Sequence, residues 1–566
     1  MKKIQKVTFF QVDFSFTNVA GKSLLLLVLL LFTCKTALGQ KPVFSRQDTL
    51  RGSITPERSW WDLKHYALFV DVNPQDSTIS GENTVNYKVL SGMQVMQIDL
   101  QSPMKIIKIT QDDVELEFKK EGNAHFVRLR KNQVAGDLNS IRIFFEGKPR
   151  VSENPPWSGG FTWKSDGNGN KFITTTCQGI GASLWWPCKD HMYDEADSMD
   201  IHISIPAKLG LTAVSNGRLK GIAENDKGKK IFSWSVSNPI NNYGVNINIG
   251  DYVHFSEKYQ GEKGTLDCDY YVLKDHLPQA QGQFKQVPMM LKAFEHWFGP
   301  YPFYEDGYKL VEVPYLGMEH QSCVTYGNGF KNGYLQQDLS RSGWGFNFDF
   351  IIVHESGHEW FANSITNRDV ADMWIHESFT SYAENLFLDY YYGTQASAEY
   401  VIGTRRKIEN KRPVIGIYDV NHEGPIDMYY KGANMLHTLR QLIGNDEKWR
   451  EILREMNQVF YHQTVTTQQI ENFLSEHTGI NLSLFFDQYL RDTRIPELEY
   501  YFSGKKLKYR WSNCVKGFDM PVKVTVNGNA YTLKPSVAFQ ELELAVPVNS
   551  FSADINYYVT TRNTKK

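Results

Sequence analysis

The segment Phe350-Ile351-Ile352-Val353-His354-Glu355-Ser356-Gly357-His358-Glu359-Trp360-Phe361 constrains this chain more than any other. It carries the pattern His-Glu-x-x-His inside an apolar run. On a helix, residues four apart lie one above the other on the same face. His354 and His358 can then direct two imidazoles at one point, with Glu355 carried beside it. That pattern is the mark of a zinc site with a glutamate general base. Catalytic zinc usually takes three protein ligands and keeps one position open. Glu377, in the aromatic-rich segment Trp374-Ile375-His376-Glu377-Ser378-Phe379, is the expected third, so one zinc ion is expected between His354, His358 and Glu377. The plain alternative is an amphipathic helix with two partly buried histidines; a second glutamate at a chemically sensible distance argues against it.

At 566 residues the chain is too long for one ordinary domain. A hydrophobic content of 41% and an aromatic content of 14% suit a packed globular protein. A formal charge of −2 and the lack of a long basic run give no nucleic-acid partner. Nothing repeats at a fixed period, which argues against a solenoid or propeller.

Lys2, Lys3, Lys6 and Lys22 precede the apolar run Leu24 to Phe32, and Ala37-Leu38-Gly39 is a small-x-small cleavage signal. The run is about half the ~20 residues that a membrane span needs. Residues 1–39 therefore read as a signal peptide, with export to the periplasm, cell surface or medium and no stable membrane span. Cys34 raises lipid attachment, but Phe32 and Thr33 fit such a box poorly. Cys177, Cys188, Cys268, Cys323 and Cys514 show no C-x-x-C spacing, so a cysteine zinc site is not expected.

Residues 40–57 are polar and read as a linker. From 58 to 255 the pattern is short strands and turns: Tyr66, Leu68, Val70 and Val72 alternate, as do Val85, Tyr87 and Val89. Within that stretch Thr174-Thr175-Thr176-Cys177-Gln178-Gly179 leads to Trp185-Trp186, read as packing in preference to cleft lining. Residues 256–496 are mainly helical, with a strand region at the front ending in Lys309–Pro314. Alternation returns over 497–566, where Val522, Val524 and Val526 precede an Asn527-Gly528 hairpin signal. The fold class is α+β, multidomain.

Several elements in a fixed order carry a resemblance to the aminopeptidase N family of zinc metallopeptidases, gluzincin type. They are the Gln178 loop with Trp186-Pro187-Cys188-x-Asp190, Ser215-Asn216-Gly217, Phe298-Gly299-x-Tyr301-Pro302-Phe303, Leu316–His320, the zinc set and Tyr429-Tyr430-Lys431-Gly432-Ala433. The resemblance implies an N-terminal β-saddle domain (58–255), a thermolysin-like zinc domain (256–496) and a short β-sandwich-like C-terminal domain (497–566). It implies an enzyme that removes the first residue of peptides with a free N-terminus. Glu355 would be the general base. Tyr429 would stabilise the oxyanion, with Tyr430 a competing candidate. Glu319 would hold the α-ammonium, and Gln178, Gly317, Met318 and His320 would border the substrate. Leu316 and His320 stand where the family has Gly and Asn, and a titrating His320 would alter pH dependence. Glu384 is either an acceptor for a ligand histidine's other N–H or a solvated glutamate. An endopeptidase with the same zinc set, and a silent peptide binder on the same fold, are the rival readings.

Overall fold

The computed structural model describes residues 42–564; the expected signal segment 1–39 lies outside them. Among the described residues no helix is long and apolar enough to cross a membrane. From Arg46 onward the chain packs as one unit.

Its N-terminal part is built on an eight-stranded sheet centred on Trp61–Asn73 and Thr78–Val89. Trp61–Asn73 runs parallel to Ser198–Pro206 and antiparallel to Thr78–Val89, with Val70 opposite both Ile203 and Gly81. The alternating residues Tyr66, Leu68, Val70 and Val72 are all buried, as strand period two requires. A four-stranded sheet carries Lys171–Thr176, paired with Gly160–Ser165 and Asn248–Gly250. The Thr174–Thr176 stretch is thus a strand end that delivers Gln178. Trp185 and Trp186 are fully buried, Trp186 edge-on to Tyr66 at 5.0 Å, so they serve packing.

A five-stranded sheet follows, in the order Tyr252–Gly261, Gly264–Leu273, Tyr308–Glu312, Val324–Tyr326, Gly317–Met318. Its first strand carries the chain through position 255, where the composition changes. Its edge strand Gly317–Met318 runs antiparallel to Val324–Tyr326, with Met318 opposite Thr325. Against this sheet pack the helices Gln286–Phe298 and Phe350–Gly357; Trp374–Tyr392 packs on both, and Asp427–Ile443 packs on Trp374–Tyr392. The strands from Glu497 onward form a four-stranded and a three-stranded sheet, with the expected hairpin pairing Val526 to Asn529. Their inward residues, Leu498, Trp511 and Val522 among them, share one apolar core with the helices.

One expectation fails. The supposed linker 40–57 contains helices Arg46–Gly52 and Pro56–Ser59. Two of their arginines are ion-paired and not solvated: Arg51 reaches Asp190 at 2.7 Å, and Arg58, fully buried just past the segment, reaches Asp99 at 2.6 Å. Paired arginines of this kind look like surface residues in sequence.

Candidate active site

The Phe350–Gly357 helix is fixed at its start by Asp349, whose side chain accepts from the Ile351 and Ile352 amides. Tyr326 donates a 2.8 Å bond to the same carboxylate, tying the helix to the sheet. Val353 and Ile352 turn into the core, which leaves His354 and His358 facing the long helix Trp374–Tyr392 and Glu377. His354 Nε2 lies 3.8 Å and His358 Nε2 3.5 Å from Glu377 Oε2. A tetrahedron of ~2.1 Å bonds has edges of roughly 3.4 Å.

The outer nitrogens are already used. His354 Nδ1 meets Glu384 Oε1 at 2.7 Å, and His358 Nδ1 meets the Phe361 carbonyl at 3.0 Å. A carboxylate and a carbonyl can only accept, so both Nδ1 atoms carry the proton and both Nε2 lone pairs face the shared point. Glu377 Oε2 is buried without a hydrogen-bond partner, an expensive state for a carboxylate oxygen unless a cation sits there. The residues present therefore fit zinc. A second grouping of ligand atoms, Glu319, Glu355 and His358, also falls within 4.8 Å. It fits less well, because Glu319 Oε1 is taken by Gln178 Nε2 at 2.9 Å.

The triad lies in an open cleft of about 330 Å³. Glu319, Glu355, Glu377, Glu384 and Glu423 line it, and among the described residues no lysine or arginine does. Burial, opposed by His354 and reinforced by Glu377, pushes Glu355 up to about 7. Burial with the charges of Glu355 and Glu377 drives Glu319 well above the usual carboxylate range. Glu377 is held below that range, against its burial, by His358 and His354. Protonation relieves this surplus, and so does added positive charge such as a metal cation.

Glu384 is no solvated glutamate; it is buried, and Tyr400 donates to its other oxygen at 2.6 Å. Gln178 Nε2 also donates to Glu377 Oε1 at 3.2 Å, bridging the two carboxylates. The Tyr429 ring stacks 6.1 Å from His354, and burial with the Glu377 charge holds its phenol well above the tyrosine range. Tyr430 lines the same cleft, its phenol held above the tyrosine range by burial first and then by the Glu384 charge.

The Leu316–His320 segment divides as an extended chain must. Gly317 and Glu319 line the cleft, whereas Met318 and His320 are buried behind it. Met318 belongs to the N-terminal apolar core, and His320 Nδ1 contacts Thr325 Oγ1 at 3.3 Å. The expectation that Met318 and His320 border the substrate is therefore corrected: they face the wrong way. So is a titrating His320, because burial holds its imidazole down at about 3. A Cβ on Gly317 would lie 2.6 Å from Ile351 Cγ2 and 2.9 Å from the Thr325 carbonyl, so glycine is needed where the strand meets the helix. The sequence reading missed Phe350, stacked on His354 at 5.0 Å and recoverable from helical spacing. It also missed Tyr400, Trp157 and Glu423, which no local pattern marks.

The Peptidase M1 N-terminal domain matches residues 63–243 and the Peptidase family M1 domain matches residues 283–489. Leukotriene A-4 hydrolase of Xenopus laevis is 24% identical over 344 residues, covering 57% of this chain and 53% of that protein. Probable aminopeptidase 1 of Sulfurisphaera tokodaii is 21% identical over 522 residues, covering 88% of this chain and 62% of that protein. The chain thus spans 53% to 62% of the length of these relatives. An M1 zinc metallopeptidase of Deinococcus radiodurans, solved as a mutant with a Tyr-Ser-Ala substrate, superposes with a TM-score of 0.64 at 19% identity. That match covers 77% of this chain and 95% of the other, and shows the shared fold. Two domains matched in their usual order, over a cleft whose donors fit one zinc ion, make this chain a member of peptidase family M1.

Proposed function

We propose that the chain is a zinc aminopeptidase, hydrolysing the first peptide bond of peptides with a free N-terminus. The observation that carries this reading is the Glu319 carboxylate. Gln178 holds it at 2.9 Å, beside Glu355 in the wall of the metal-competent cleft. An endopeptidase has no use for an acid there; an α-ammonium needs one, and charge-assisted hydrogen bonds fix its position.

His354, His358 and Glu377 would hold zinc, which would supply Lewis acidity toward a carbonyl and a water at that point. Glu355, carried beside that point, is placed to take the proton of the attacking water and return it to the leaving amine. Tyr429 donates to the oxygen that gains charge in the tetrahedral state. Glu384 and the Phe361 carbonyl keep the two imidazoles in the tautomer that offers Nε2. Residues 58–255 would supply Gln178 as one wall, 256–496 the chemistry, and 497–566 the apolar support beneath it. Export directed by residues 1–39 is part of the same proposal, supported by the lysines, the apolar run and the Ala37-Leu38-Gly39 signal; cell fractionation checks it.

The test is a matched pair of peptides, one free and one N-acetylated, given to the zinc-loaded protein. Acetylation removes the ammonium and leaves a buried carboxylate unpaired, so kcat/KM should fall at least roughly tenfold to a hundredfold. Equal rates would return the reading to an endopeptidase, and no cleavage of either would favour the silent binder.

A further inference from the structure

Four of the five carboxylates in the cleft already serve as metal ligand, general base, ammonium acceptor or histidine partner. Glu423 does not. It makes no hydrogen bond or ion pair among the described residues, and it is exposed to the cleft. It sits on the segment just before the Asp427–Ile443 helix and touches the Gln178 loop. A Cβ on Gly179 would lie 3.6 Å from Glu423 Oε2, and Asn421 Nδ2 donates to the Gly179 carbonyl at 3.3 Å.

Beyond this loop the cleft opens into an outer chamber of about 750 Å³, whose wall it shares at Trp157, Gln178, Glu423 and Tyr429. A side chain on the residue whose ammonium lies at Glu319 has to pass that shared wall to reach the chamber. Of the residues lining both spaces, Glu423 is the charged one. Two cations also line the chamber. Arg51 is committed to Asp190 at 2.7 Å, and exposed Arg412 lines only the outer space, not the cleft around the metal site.

We infer that Glu423 reads the first side chain of the substrate and selects a cationic one, lysine or arginine. The inference rests on the placement of the α-ammonium at Glu319. A guanidinium or ammonium passing Gln178 finds a free carboxylate, while a carboxylate-bearing side chain meets a like charge.

The experiment compares arginyl, citrullyl and leucyl amides of one chromophore. Citrulline keeps the shape of arginine and removes its charge. The zinc-loaded protein should favour arginyl over citrullyl roughly tenfold or more in kcat/KM. In Glu423→Gln that ratio should collapse toward one, with the leucyl substrate losing less than the arginyl substrate. Glu423→Lys should invert it. Arg412→Ala, which removes the competing cation, should raise the ratio. An unmodified protein indifferent to the charge, or a Glu423→Gln protein with the ratio intact, overturns the inference while cleavage itself leaves the aminopeptidase reading standing. Failure to cleave any of the three removes both.

Discussion

His354 Nδ1 and Glu384 Oε1 lie 2.7 Å apart, and Tyr400 donates to the other oxygen of the same carboxylate at 2.6 Å. This chain of contacts runs from a metal-facing imidazole through two helices into the core, and it decides the ring's tautomer. Partners of this kind typically set metal affinity by ~10–100-fold. Glu384→Gln should weaken zinc binding within that range without unfolding the protein. Competition against a chelator reads the affinity and circular dichroism the fold. An unchanged affinity would mean that His354 is held by packing against Phe350 alone.

Glu355→Gln should keep zinc and lose most turnover, because the geometry survives and the proton acceptor does not. Tyr429→Phe should depress kcat far more than KM, since one lost oxyanion donor typically costs ~10²–10³. Tyr430→Phe is the control, because Glu384 acts on the Tyr430 phenol more strongly than Glu377 does, the reverse of Tyr429. If Tyr430→Phe is the more damaging change, Tyr429 has been given the wrong role.

Gly317→Ala tests how the edge strand meets the zinc helix. Its new Cβ would press on Ile351 Cγ2 at 2.6 Å, the Thr325 carbonyl at 2.9 Å and Glu355 Cγ at 3.3 Å. Overpacking of this sort costs about 1–3 kcal/mol. The variant should melt earlier and also lose kcat, because Glu355 is one of the groups displaced. Wild-type stability together with wild-type kcat would show that the strand moves aside freely.

The zinc set was legible because helical geometry turns a spacing into a direction: His354 and His358 had to share a face. The β regions were legible where alternation was clean, as at Tyr66 to Val72. What escaped was long-range pairing. Arg51 reads as a linker residue, and Arg58 beside it as the start of a strand region, until Asp190 and Asp99 are seen next to them. The roles of Met318 and His320 were misjudged because a motif names residues and not faces. Extended-chain alternation places them behind Gly317 and Glu319.

His320 gives a pH test. Burial depresses its imidazole from 6.5 to about 3, so between those values the unfolded chain binds a proton that the folded chain does not. Its contribution is present above 6.5 and lost as pH falls toward 3, on the order of 3 kcal/mol by pH 4. Buried His191, lowered to about 3, acts in the same sense. His320→Asn should therefore make the thermal midpoint less sensitive to acid between pH 6.5 and 4 than in the unmodified protein. The activity profile above pH 5 should not move in His320→Asn, because the neutral ring does not titrate there. A limb near 6.5 that disappears in this variant would restore a titrating His320.

The bridge formed by Gln178 yields the last prediction. One amide nitrogen donates to Glu319 Oε1 at 2.9 Å and to Glu377 Oε1 at 3.2 Å. It thereby couples the carboxylate proposed to hold the ammonium to one proposed to hold the metal. Gln178→Leu removes the donor and leaves two buried carboxylates facing each other across the gap. Each lost bond to a charged group is worth about 1.5–3 kcal/mol. Glu319 should then be less well placed, so the preference for a free over an acetylated amine should narrow, mainly through a higher KM for the free peptide. Zinc affinity should suffer less than in Glu384→Gln, because Glu377 Oε2, the oxygen nearest both imidazoles, keeps its position on the helix. Measuring kcat and KM on both peptides, with metal content alongside, separates the two effects. A Gln178→Leu protein that loses its zinc but keeps its free-amine preference would place the amide with the metal site and not with the substrate.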